Sequence, residues 1–92
     1  MNSQKENLEK EKLIQLIEKA IKLLCEKNLS QVVILSSYKI NSVLKDNYGV
    51  NIRVDKIGRI LSNIAKRNKL KRLSTNIPKY KLHIKKLPNL IF

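Results

Sequence analysis

The sequence predicts one small α+β domain that is mainly α, with three helices followed by a two-stranded β-hairpin. Three observations carry this. Apolar residues recur at helical spacing in three stretches, about residues 8–28, 38–48 and 53–68. "YKLHI" alternates apolar and polar residues, the period of a half-buried strand, and Asn76 and Pro78 mark a turn before it. The length of 92 residues suits a single core, because so short a chain buries only about two thirds of its unfolded surface.

The first helix is predicted over residues 8–28, after a frayed N-terminus at 1–7. Its apolar residues fill about half of a helical wheel, an arc open to two readings. Either this is a central core helix, or part of the face, drawn from Leu13, Leu16, Ile17, Ala20, Ile21 and Leu24, meets a second copy of the chain. "VVIL" is β-branched and uninterrupted, and reads as a short strand or as the start of the next helix.

In "SSYKINSVLKDNYG", Ser36 or Ser37 can cap a second helix and Gly49 can end it in the left-handed conformation. Tyr38 reads as a core residue or as a surface contact, with the core slightly favoured. The third helix carries Val54, Ile57, Ile60, Leu61, Ile64 and Ala65 on one face. Asn51 or nearby backbone is expected to start it, and Asp55 in its first turn suits the helix dipole. The tail at 85–92 is expected to be extended at Pro88, padding the core or a dimer contact.

Apolar content of 42% supports a folded core, but an aromatic content of 4% leaves Ile and Leu to pack it. The net charge is +13 and unevenly spread. Residues 1–27 carry six Lys against five Glu, whereas residues 28–92 carry fourteen Lys and Arg against Asp46 and Asp55. A field of that strength and sign points to an acidic partner.

No catalytic constellation is expected. His83 falls among lysines, Cys25 borders the apolar arc of the first helix, and two acidic residues beyond that helix are too few for a metal-dependent nuclease. The sequence implies neither a metal nor a cofactor, no enzyme activity, and no disulfide from its one cysteine. The longest apolar run is far shorter than the ~18–20 residues of a membrane span, so the expected location is intracellular, in the cytoplasm.

The run "INSVLKDNYGVNIRVDKIGRILSNIAKRNKLKRLSTNIPKYKLHI" resembles the small winged helix-turn-helix DNA-binding proteins of archaea and archaeal viruses. An apolar helix, a "YG" turn, an "IGRIL" third helix, a basic link and a final strand opening on Tyr carry the likeness, which covers about residues 36–84. It implies that the third helix enters the major groove of double-stranded DNA and that the hairpin is a wing touching neighbouring backbone or minor groove.

The residues themselves suit that use. Lys56, Arg59 and Asn63 lie three and four apart, along one strip of the exposed helix face, with Ser62 beside them. Arg pairs bidentately with guanine and Asn with adenine, so this strip is the candidate base reader. Candidate phosphate contacts are Ser37, Lys39, Arg53, Lys66, Arg67, Lys69, Lys71, Arg72, Asn76, Lys79 and Lys81. A transcription regulator acting as a homodimer on a palindromic site is the leading expectation. The alternatives are a nucleoprotein without sequence preference, on DNA or RNA, and a protein-docking module of a replication or transcription complex.

Overall fold

The computed structural model describes residues 3–92, with side chains described from Glu9 onward. It is a mostly helical α+β domain with a three-stranded antiparallel sheet. The order is α1 (Ser3–Lys27), β1 (Val32–Ser36), α2 (Ser37–Tyr48), α3 (Val54–Arg67), β2 (Lys71–Arg72) and β3 (Lys79–His83), followed by a 3-10 segment (Ile84–Asn89).

No Gly or Pro interrupts α1, so its 25 residues run for about 37 Å. The helix already includes Ser3 to Asn7, where the sequence predicted fraying, while Met1 and Asn2 lie outside the described residues. Its wide apolar arc is explained by its partners, since α1 packs on α2, α3 and β1 together. Ile17, Ala20 and Ile21 have no exposed surface, so these three belong to the core of one chain and cannot form a dimer face. Leu13, Leu16 and Leu24 stay partly exposed at its margins.

The "VVIL" stretch is a strand. β1 pairs with β3, setting Val33 opposite Leu82 and Leu35 opposite Tyr80, all four buried. β3 is therefore the central strand, flanked by β1 on one side and the two-residue β2 on the other. The hairpin is one edge of a larger sheet whose inner face covers the helices, which is why Tyr80 and Leu82 alternate with more exposed Lys81 and His83.

Ser36 ends β1 and starts α2, where its hydroxyl accepts the Lys39 amide at 3.2 Å. Tyr38 follows on the outer side and is 57% exposed, so it is a surface residue and not the core residue favoured from sequence. Asn51 does not cap α3, which starts at Arg53 without a side-chain cap. Asn51 instead accepts from the Asn41 amide at 3.4 Å, while the Asn41 carbonyl accepts from the Ile52 backbone at 3.1 Å. These contacts tie α2 to the loop that launches α3.

Both α2 and α3 end on a left-handed residue whose successor turns its amide back onto the helix: Val50 to Leu44 O at 3.1 Å, and Leu70 to Ala65 O at 2.9 Å. At the first, the left-handed residue is Gly49 with φ 64°; at the second it is Lys69 with φ 54°. Glycine takes this conformation freely, whereas a residue with a Cβ gives up roughly 1 kcal/mol or more.

Pro88 does not keep the tail extended. Its fixed φ suits a 3-10 turn as well as a strand, and the chain turns through Ile84–Asn89 before crossing the end of α3. There Asn68 receives the Ile91 amide and donates to the Ile91 carbonyl, each at 2.8 Å, and Arg67 donates to the Phe92 carbonyl at 2.7 Å. Leu87, Leu90 and Phe92 pack against the core from outside, so the tail pads this chain.

Candidate nucleic-acid interface

The buried face of α3 (Ile57, Ile60, Leu61, Ile64 and Ala65) fixes which residues look outward. Lys56, Arg59 and Asn63 are exposed and Ser62 is half-buried, so the sequence-derived strip is on one accessible face. A groove runs along each side of it.

The first groove, about 650 Å³, lies between α3 and the N-terminal half of α1. Leu13, Leu16, Ile52 and Ile60 are its apolar lining, and Lys56, Arg59 and Asn63 share it with Lys10, Lys12 and Glu9 of α1. Two expectations therefore collide. A second copy laid on Leu13 and Leu16 would cover the residues expected to read bases.

The second groove, about 680 Å³, is bounded by the start of α2, by α3 and by the hairpin, with Ser37, Arg59, Ser62, Arg72, Pro78 and Tyr80 in its walls. Gly58 faces the start of α2, yet a Cβ there would meet only the Ser37 side chain, its Cβ at 3.9 Å and its Oγ at 4.0 Å, ordinary contacts. Packing within the domain does not demand glycine at this position. Lys66 joins Ser62, Arg72 and Tyr80 in a smaller neighbouring groove of about 390 Å³.

The remaining expected phosphate contacts do not form one surface. Arg53 and Lys39 are exposed near the two helix starts, but Arg53 pairs with Asp55 at 3.1 Å, which offsets part of its charge. Both groups are well exposed, so the pair is weak and exchangeable. Asp55 thus has a partner on its own chain. Arg67 is engaged by the tail. Asn76 sits at the hairpin tip beside Ile77, which is 44% exposed, and Lys79 is half-buried.

The register splits the cations of the hairpin. Arg72 pairs with Tyr80 and shares the second groove, whereas Lys71 pairs with Lys81 on the opposite face. Lys71 and Lys81 line a small depression with Lys69, His83 and Lys86. Sequence reasoning missed His83 and Lys86 there, and missed Lys10, Lys12 and Tyr80 around α3. Strand alternation was a signal for His83, which shares the side of Lys81; Lys86 had none, because its place depends on the 3-10 turn.

Comparison with protein-family models, curated proteins and solved structures finds no match. Among the described residues no group of three or more His, Cys, Asp or Glu could hold a metal, and no helix is long and apolar enough to cross a membrane. Cys25 is buried, and desolvation pushes its thiol pKa up, which disfavours the reactive thiolate.

Proposed function

We propose that this chain is a winged-helix protein that binds double-stranded DNA sequence-specifically, as an intracellular, nucleoid-associated transcription regulator. α3 lies in the major groove, and the β2–β3 hairpin is the wing against neighbouring backbone or minor groove. The observation that carries the reading is the exposed Lys56–Arg59–Asn63 strip, left open by grooves on both sides and faced from the hairpin by Arg72. Arg and Asn supply the bidentate groups that distinguish bases, and the surrounding lysines attract phosphate without reading sequence.

The shared groove restricts how two copies could act on one site. A dimer compatible with base reading would form at the other end of α1, around Leu23, Leu24 and the fully exposed Leu29, and not over Leu13 and Leu16. Such a dimer would place two α3 helices about 34 Å apart on a palindrome. A monomer in sedimentation at high micromolar concentration, with and without DNA, would remove the dimer from the proposal.

Selection of random duplexes at about 150 mM salt, followed by sequencing of the bound pool, tests the main claim. An enriched motif is expected, with preference at single positions reduced by about 1–3 kcal/mol in Arg59→Ala and Asn63→Ala. Contact with about six phosphates should give a slope near −5 for log affinity against log salt. Retention without any enriched motif would overturn sequence reading in favour of a nucleoprotein coat.

A further inference from the structure

We propose a second anion site, a phosphate-binding depression on the outer face of the sheet, built from Lys69, Lys71, Lys81, His83 and Lys86. The depression holds about 170 Å³, and among the described residues its only other lining residue is Leu70, so no described carboxylate lines it with these basic side chains. Its ligand is a phosphate oxyanion, because four lysines converging as point charges suit a compact multivalent anion, and His83 can add a ring N–H donor to it.

Two features independent of the charge count point to a ligand. First, the register sets Lys71 directly opposite Lys81 across the β2–β3 pair, a like-charge placement that disfavours strand pairing and that a bound anion would relieve. Second, Lys69 occupies a left-handed helix end, the position that the same chain fills with glycine at Gly49. Conformation favours glycine there, so lysine at this position carries a backbone cost, and Lys69 lines this depression. The 3-10 segment that follows β3 adds Lys86.

The site does not rest on duplex reading by α3. Strand alternation puts Lys71, Lys81 and His83 on the face away from Arg72 and Tyr80, and of the depression's basic residues Lys69, at the seam after α3, also reaches the α3 side, together with Leu70. Phosphate could come from a nucleic-acid backbone or from a free polyphosphate, and the two are separable by experiment.

The test is NMR titration of the full chain with inorganic tripolyphosphate and, separately, with a short DNA duplex. Tripolyphosphate is expected to shift the amides of Lys69, Lys71 and Lys81 and the ring signals of His83, leaving Arg59 and Asn63 in place. A duplex that moves the depression as well as α3 identifies nucleic-acid backbone as a source; a duplex that moves only α3 assigns the depression to free polyphosphate. Lys69→Gly is expected to melt at a higher temperature than the natural chain yet bind tripolyphosphate several-fold more weakly, and Lys71→Gln to lose affinity similarly. Unchanged affinity in both variants, or tripolyphosphate shifts confined to α3, would overturn the site.

Discussion

Asn68→Ala tests how firmly the tail is held. The Asn68 side chain makes three hydrogen bonds, each 2.8 Å: to the Ile64 carbonyl, to the Ile91 carbonyl and from the Ile91 amide. The first is partly buried and the others are exposed. Net contributions run from about 0.5 to 1.5 kcal/mol per bond, and exposure moves a bond toward the lower figure. One bond at about 1 and two at about 0.5 give a loss near 2 kcal/mol. For a domain of this length, that lowers Tm by roughly 8–16 °C. Thermal and urea unfolding followed by circular dichroism measure the loss, and hydrogen exchange at the Ile91 amide locates it. A stability loss below about 0.5 kcal/mol, with Ile91 exchanging at its original rate, would refute a tail held by these bonds.

Leu82→Ala, which removes a fully buried side chain from the central strand, should cost about 2–5 kcal/mol in urea unfolding. Gly58→Ala should stabilise by about 0.5–1 kcal/mol, since it improves an interior helix position where only ordinary contact with Ser37 is waiting; destabilisation would show that α2 and α3 are packed more tightly than 3.9 Å implies. The Cys25 thiol should resist alkylation in the native state and react on unfolding, because it is buried and its pKa is raised above 9.0. The sign of the linked stability follows: the contribution is whole below the ordinary thiol pKa, where both states are protonated. It declines as pH rises above 9.0 because the unfolded thiol ionises first, and denaturation midpoints across alkaline pH measure the decline.

Much of the helical frame was legible because burial on one side imposes a 3.6-residue period that α2 and α3 display plainly. Gly49 and the alternation in β3 were legible for equally local reasons. β1 was not, since a run of four apolar residues has no period to distinguish strand from helix, and only pairing with β3 decides it. The wide arc of α1 was ambiguous because sequence shows how much apolar surface exists and not how many neighbours share it. Ile17, Ala20 and Ile21 went to three neighbours within one chain. At the candidate interface, the spacing of Lys56, Arg59 and Asn63 was sufficient to place them together. The division of Lys71 from Arg72 needed the knowledge that these two residues are a strand, and a two-residue strand has too few positions to show its alternation in sequence.

The central position of β3 gives the hairpin a different mechanical character from a loop hung on the end of a helix. Five residues of β3 are laced to β1, which runs straight into α2, so the arm is braced against the domain like a beam set in a wall. Its direction belongs to the body, whereas the chemistry of its tip belongs to residues 73–78, which lie outside the strands. Substitutions at the tip can therefore change what it touches without changing where it points. Reach and aim can vary separately in this architecture.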